Sequence, residues 1–260
     1  MMGALYSAAS GMKAQQLNID VISNNLANVN TSGFKKARAE FQDLLYRTIA
    51  EAGVPVSGGS NTPVGTQVGT GTRSIAVTRV FSQGDFTQTE NPLDLTIEND
   101  GFFVVQMPDG TKAYTRDGAL KVDRSGQLVT AEGYQLVPSI TIPPGIGRPS
   151  VSPEGIITAT VNGNSTTLGQ LTLARFLNPS GLSSMGHNLY RVTNASGDPI
   201  EGLPGVDGMG SVMQGYLESS NVRVVDEMVN LIVAQRAYEA NSKSIQTSDD
   251  MLSQANTLKR

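Results

Sequence analysis

The chain has 260 residues and a formal net charge of -4, and it contains no Cys, no Trp and a single His. This length suits one large domain or two modest ones with a buried core. The missing cysteines exclude disulfides, thiolate catalysis and zinc–cysteine sites, and the acidic charge balance argues against a nucleic-acid-binding protein.

Helix-breaking residues divide the sequence into three parts. All 12 prolines, and all but three of the 28 glycines, lie within residues 53–215. Both residue types oppose helix formation. We therefore expect helices at the two ends of the chain, and strands with turns between them.

The N-terminal segment predicts a long amphipathic helix. Its heptad stripe has apolar residues at Leu5, Met12, Ile19, Ile22 and Leu26. The opposite face is rich in Ser, Asn and Gln, and its only charges between residues 4 and 34 are Lys13 and Asp20. Uncharged polar groups are buried at lower cost than charges, so this face is expected to contact other protein. A neutral surface helix is the alternative.

Residues 35–71 have no single clear pattern. Residues 35–50 fit either a helix or an extended arm, and local propensity does not decide between them. Residues 51–71 are rich in Gly, Ser, Thr and Pro, a composition typical of a flexible loop.

The middle of the chain predicts an antiparallel β-sandwich or barrel. Short apolar or alternating runs are separated there by turn sequences such as Asp117-Gly118 and Ser125-Gly126. The expected strands are residues 72–81, 93–97, 102–107, 112–115, 119–122, 127–129, 134–137, 156–161, 168–176 and 189–192.

The C-terminal segment carries a second heptad stripe. Its positions are Val224, Met228, Leu231, Tyr238, Ile245 and Leu252. One stripe alone is usually explained by packing on the helix's own domain, but two stripes at the two ends favour antiparallel pairing. The expected fold is α+β, with a discontinuous coiled-coil domain (1–34 and 216–260), an extended arm or linker (35–71) and a central all-β domain (72–215).

The sequence predicts no catalytic site, no metal site and no cofactor. Asp94, Glu98 and Asp100 form its best carboxylate cluster, and strand alternation places the first two on one face. No nucleophile or orienting histidine lies near them, and a turn accounts for Asp100. A secreted glycan-acting enzyme built on these carboxylates is the alternative of a different class.

Residues 22–35, ISNNLANVNTSGFK, resemble the N-terminal signature of the axial proteins of the bacterial flagellum, the rod and hook family. Residues 101–138 resemble that family's β-domain, and residues 215–252 its terminal helix. Together these segments and their linkers cover nearly the whole chain. The signature positions are Asn24, Asn25, Leu26, Asn28, Gly33 and Phe34.

The resemblance implies a structural protein that polymerises into a helical tube, with paired terminal helices inside and β-domains outside. Family members are exported unfolded by the flagellar type III apparatus without a cleaved signal. The N-terminus of this chain likewise lacks the basic start and unbroken apolar run of a secretory signal. No segment is long and apolar enough to suggest membrane insertion.

Within the family, the length and residues 46–72 most resemble the distal rod members. This implies a stiffening arm along neighbouring subunits, with apolar contacts from Val54, Val56, Val64 and Val68. A proximal rod or hook-like subunit is the alternative. The implied location is the periplasmic basal body. The implied partners are copies of the chain itself, proximal rod proteins, the hook protein, the P and L rings where present, a rod cap and the export apparatus.

Overall fold

The computed structural model describes residues 2–53, 63–143, 148–161 and 164–257. The chain forms two compact units. Unit 1 comprises Met1–Leu26, Ala37–Thr78 and Arg223–Arg260, and unit 2 comprises Ala27–Lys36 and Arg79–Val222. The α+β class expected from the sequence is confirmed, whereas the domain limits given above stay a prediction.

The two helices belong mainly to unit 1. Helix α1 spans Met2–Ala27 and helix α2 spans Val224–Thr257. Neither helix contains a proline, and acidic residues in the first turn of α2 stabilise the positive end of its dipole. Among the described residues, neither helix is apolar enough over a sufficient length to cross a membrane.

In the described part of residues 28–79, four strands follow α1. Residues 37–43 and 46–50 are extended rather than helical. Strand β1 pairs with β4, and β2 pairs antiparallel with β3. The β2–β3 register places Arg47 opposite Val68, with a bulge between Thr48 and Ala50. The strands are β1 (Ala37–Asp43), β2 (Tyr46–Ala50), β3 (Thr66–Gly69) and β4 (Thr72–Arg79).

Unit 2 is built from sixteen short strands in the described part of the chain. The first eight are β5 (Phe86–Gln88), β6 (Leu95–Glu98), β7 (Phe102–Gln106), β8 (Lys112–Thr115), β9 (Lys121–Val122), β10 (Leu128–Val129), β11 (Gln135–Leu136) and β12 (Ser150–Val151). The others are β13 (Ile156–Val161), β14 (Asn164–Gln170), β15 (Leu173–Arg175), β16 (Ser183–Gly186), β17 (Leu189–Arg191), β18 (Ile200–Gly202), β19 (Ser211–Gln214) and β20 (Tyr216–Glu218).

The largest sheet described has nine strands. Its main path runs β16-β17-β8-β7-β11-β10-β9, with β15 added beside β7 and β18 beside β15. Smaller sheets pair β12-β13-β14, β19-β6 and β20-β5. All the registered pairs are antiparallel, as expected for strands joined by short turns.

Strand β7 lies at the centre of the packing, because both of its faces are buried. Phe103 and Val105 pack into one apolar cluster, and Phe102 and Val104 pack into a second. This explains why β7 reads as a continuous apolar run rather than an alternating one. In the second cluster, Phe176 packs edge-to-face on Phe102, with ring centroids 5.6 Å apart.

Thr96 in β6 offers a test of this core. Its side chain is fully buried, and its Oγ1 has no hydrogen-bond partner among the described residues. We expect Thr96→Val to raise the free energy of unfolding by about 1 kcal/mol, because valine keeps the shape and removes a desolvated hydroxyl. Urea denaturation of the purified chain measures this difference.

Thr115→Val is the matched control for that substitution. Thr115 is equally buried, but its Oγ1 donates to Asn188 O at 2.9 Å and accepts from Asp117 N at 3.0 Å. Removing this hydroxyl leaves both partners without a hydrogen bond. The free energy of unfolding of the control variant is therefore expected to fall by about 1–3 kcal/mol. A loss of similar size in both variants would show that Thr96 Oγ1 is hydrogen-bonded after all.

Candidate functional site

Helices α1 and α2 lie antiparallel in unit 1. Near one end, Asn25 Nδ2 donates to Glu227 Oε2 at 3.3 Å. Further along, a Cβ added to Gly11 would lie 3.0 Å from Asn241 Nδ2, so the helices approach closely there. Asn25, near the end of α1, thus contacts Glu227 near the start of α2, whereas Gly11, earlier in α1, contacts Asn241 further along α2. The two helices therefore run in opposite directions.

The heptad residues expected to form the helix seam differ in burial. Ile22 is buried, whereas Val224, Met228 and Tyr238 are exposed, Met228 to 51%. The half-buried members are Leu5, Met12, Ile19, Leu26, Leu231, Ile245 and Leu252. Their role in assembly stays a prediction.

A second set of α2 positions faces inward, and only its member Ala234 belongs to the apolar pattern of the sequence. Glu227 and Ala234 are buried, and Asn241 and Ser248 follow at the same seven-residue spacing and are half-buried. Three of these four residues are polar. An apolar stripe therefore cannot reveal them, although their heptad spacing could have done so.

The N-terminal half of α2 exposes an apolar face. Five side chains on it are between 51% and 73% exposed, namely Val225, Met228, Val229, Ile232 and Val233. A contiguous exposed apolar patch is typical of a surface that contacts another protein.

Asn25 fixes the path of the chain after α1. Its Nδ2 donates to Ala37 O at 2.8 Å, and its Oδ1 accepts from Ala37 N at 2.8 Å. The amide thus pairs with both backbone groups of the first residue of β1. Of the other signature residues in this helix, Asn24 is exposed and Leu26 is half-buried. Asn28 Oδ1 accepts from Thr31 Oγ1 at 3.2 Å.

Gly33 and Phe34 lie in unit 2, where both are buried. Gly33 adopts a φ of +68°, and its N donates to Glu218 O at 2.8 Å. The Arg79 guanidinium lies 5.5 Å from the Phe34 ring centroid, within the range of a cation–π contact. These two signature positions therefore attach the segment after α1 to the β-domain.

A buried group of three charges follows the signature. Lys35 Nζ lies 2.5 Å from Glu218 Oε1, and Arg116 Nη1 lies 3.6 Å from Glu218 Oε2. All three side chains are at most 3% exposed. Burial lowers the pKa of Lys35, which the attraction of Glu218 opposes and the nearby Arg116 reinforces. Lys35 and Glu218 are far apart in sequence, so no local pattern reveals their pairing.

Two of the three carboxylates considered for catalysis accept hydrogen bonds from polar side chains. Asp94 is buried and its Oδ1 accepts from Asn91 Nδ2 at 2.8 Å, while Glu98 Oε2 accepts from Ser211 Oγ at 2.9 Å. Asp100 is held through its backbone, because its carbonyl oxygen accepts from Gly210 N at 2.7 Å. No group of three or more acidic or histidine side chains suited to a metal ion occurs among the described residues.

Asp117 should make the stability of unit 2 depend on pH. Burial raises the pKa of this half-buried carboxyl, and nearby Asp94 raises it further. A raised folded-state pKa means that the folded state binds the proton more tightly than the unfolded state. The stabilisation is therefore complete below the unfolded pKa and is lost as the pH rises through the folded pKa.

We expect Asp117→Asn to remove this loss, so that the variant is more stable than the parent at neutral pH. The amide oxygen can still accept from Ala119 N, which lies 3.1 Å from Asp117 Oδ1. Urea titrations at a series of pH values measure the effect. Asp109→Asn is the control. Hydrogen bonds from Thr111 lower the pKa of that exposed carboxyl, so its contribution to stability increases rather than decreases as the pH rises. Identical pH profiles of parent and Asp117→Asn would contradict the expectation.

The β2–β3 hairpin carries the described part of the expected arm. Val64 and Val68 are exposed, to 78% and 49%, whereas Val54 and Val56 lie outside the described residues. Every residue of β2 and β3 is exposed. An isolated two-stranded hairpin is only marginally stable in water, so this one needs further contacts to become rigid.

Three stretches of the chain match known protein families. Residues 5–35 match "Flagella basal body rod protein", and residues 96–159 match "Flagellar hook protein FlgE/F/G D1 domain". Residues 213–258 match "Flagellar basal body rod FlgEFG protein C-terminal".

Curated proteins are similar over the full length. The flagellar basal-body rod protein FlgG of Borreliella burgdorferi is 52% identical, with 100% of both chains covered. FlgG of Buchnera aphidicola subsp. Schizaphis graminum is 48% identical over 99% of this chain and 100% of its own length. FlgG of Bacillus subtilis is 40% identical, again with 100% of both chains covered.

Proposed function

Because this chain belongs to the family of flagellar basal-body rod proteins, we propose that it polymerises helically into the distal rod and transmits motor torque to the hook. It is a structural subunit of the flagellum and not an enzyme. Open helical assembly follows from a contact between two different surfaces of the same chain that does not close into a ring.

The observation that supports polymerisation most directly is the exposed apolar face of α2. Val225, Val229 and Ile232 are all more than half exposed in the single chain. A second copy that covers this face would remove it from water, which favours association by about 25 cal/mol for each Å² of apolar surface buried. The uncharged polar face of α1 offers hydrogen-bonding groups for the same kind of contact.

The β2–β3 hairpin is proposed as the arm that stiffens the rod. Leu45, Tyr46 and Ile49 are 56% to 89% exposed, and Val64 and Val68 add to this apolar surface. Neighbouring subunits would cover these side chains and so order a hairpin that is marginal alone. Rigidity would then depend on contacts between subunits.

The remaining assignments follow from the same proposal. The subunit would be exported by the type III apparatus without a cleaved signal and would work in the periplasmic basal body. Its partners would be the proximal rod proteins below, the hook protein above, the P and L rings around it where present, and a rod cap during growth.

Site-specific labelling of isolated basal bodies tests the proposal. The chain contains no cysteine, so Arg124→Cys in an exposed turn introduces a single thiol. Maleimide-linked gold should then mark the outer segment of the rod in electron micrographs, and the unaltered chain should take no label. Gold on the hook or on the membrane-proximal rod would assign the chain to one of those parts instead.

A further inference from the structure

The chain passes from one unit to the other at four points, and three segments of unit 2 lie next to the last three of them. They are residues 33–36, 79–84 and 217–222. A force that acts on unit 2 through the chain enters it at these segments and at Ala27, which begins the same stretch as residues 33–36. The contacts between them therefore decide how such a force is distributed within unit 2.

Asn221 links all three segments through one side-chain amide. Its Oδ1 accepts from Lys36 N at 2.7 Å, and its Nδ2 donates to Val80 O at 2.8 Å. The same Nδ2 lies 3.1 Å from Ser82 O. Val80 N also donates to Lys36 O at 2.9 Å, so the first two segments are paired directly as well.

Lys35 and Glu218 link the same segments a second time. Lys35 Nζ donates to Ser82 O at 2.8 Å and to Glu218 Oε1 at 2.5 Å. Glu218 Oε1 also accepts from Gly84 N at 2.9 Å. Because the Lys35 and Glu218 side chains are almost completely buried, water cannot easily replace these contacts.

We infer that Lys35, Glu218 and Asn221 form a clasp that shares torque among the three connecting segments of each subunit. Without these links, a pull on one segment would break its hydrogen bonds one after another, starting from the end. With these links, several hydrogen bonds in three segments must break together. Unfolding of unit 2 under force is then slower. The clasp rests on the proposed function, because it matters only in a subunit that carries torque.

Gln214 provides a matched control within the same unit. Its Nε2 donates to Pro92 O and to Pro149 O, both at 2.7 Å, and its Oε1 accepts from Val151 N at 3.1 Å. Like Asn221, it is a half-buried amide that joins three separate segments. None of the three lies next to a point where the chain passes between the units.

The test compares Asn221→Ala with Gln214→Ala in purified chains and in swimming cells. Both substitutions are expected to lower the urea midpoint by similar amounts. In dilute medium both strains should swim. In medium thickened with methylcellulose, only Asn221→Ala should lose swimming speed and shed filaments. Equal loss in both strains, or no loss in either, would overturn the clasp.

Lys35→Met decides the matter if Asn221→Ala gives no folded subunit. Methionine keeps most of the buried volume, and Arg116 remains beside Glu218, so the cluster stays balanced in charge. We expect this variant to show the same loss under viscous load, and normal swimming at high viscosity would reject the clasp. Failure of the proposed function would appear differently, as gold label on the parent chain outside the distal rod.

Discussion

Replacing Gly33 with alanine is expected to destabilise unit 2 far more than the same change at Gly110. Both glycines have a positive φ, of +68° and +82°, which disfavours any residue with a Cβ by about 1 kcal/mol. Only at Gly33 would the new Cβ collide with backbone, 2.7 Å from Arg116 C and from Asp117 N. At Gly110 it would meet no atom within 4 Å.

The difference between these two variants isolates the steric contact. We expect Gly110→Ala to lower the free energy of unfolding by about 1 kcal/mol. Gly33→Ala should lower it by about 2–4 kcal/mol, because the backbone around Arg116 must move to admit the methyl group. Urea denaturation of the two purified variants gives both values. Equal losses would mean that the segment after α1 is not held against the β8–β9 connection as the structure shows.

A second large effect is expected from Ala234→Asp in α2. Ala234 is only 2% exposed, so the new carboxylate would be buried without a charged partner, at a cost of several kcal/mol. The helix pair should lose helical content, measured by far-UV circular dichroism, and the cells should stop swimming. The strands of unit 2 should remain folded.

Gln235→Asp is the control for that charge. Residue 235 is exposed on the same helix, directly beside Ala234 and next to Arg236. A carboxylate there stays hydrated, and we expect near-normal helicity and swimming. Similar defects in both variants would attribute the effect to charge on α2 in general, rather than to burial against α1.

The helices and the central strands could be predicted because their signals are local. Helix α2 follows from its heptad spacing and from the absence of proline, and β7 follows from a short apolar run between turn sequences. Residues 35–50 could not be assigned from the sequence. Their extended structure depends on pairing with residues 66–79, which local propensity does not include.

The site was less predictable, since its contacts join distant parts of the sequence. The signature glycine at residue 33 could be located, but not the Arg116 backbone that excludes a side chain there. Glu227 illustrates a different difficulty. It is a buried charged residue in a helix seam, where a search for apolar side chains favours the neighbouring Met228, which is exposed.

Unit 1 contains the first helix and the last helix, so it cannot be completed until nearly the entire chain is present. Most of unit 2 lies in residues 79–222 and can form before α2 exists. During synthesis from the N-terminus, α1 is therefore made before its partner helix, and a long helix alone is marginal in water. A subunit shortened before residue 223 would keep its strands but offer neither the helix pair nor the apolar face of α2. Under the assembly role proposed above for the α2 face, entry into the polymer would require a complete C-terminal segment.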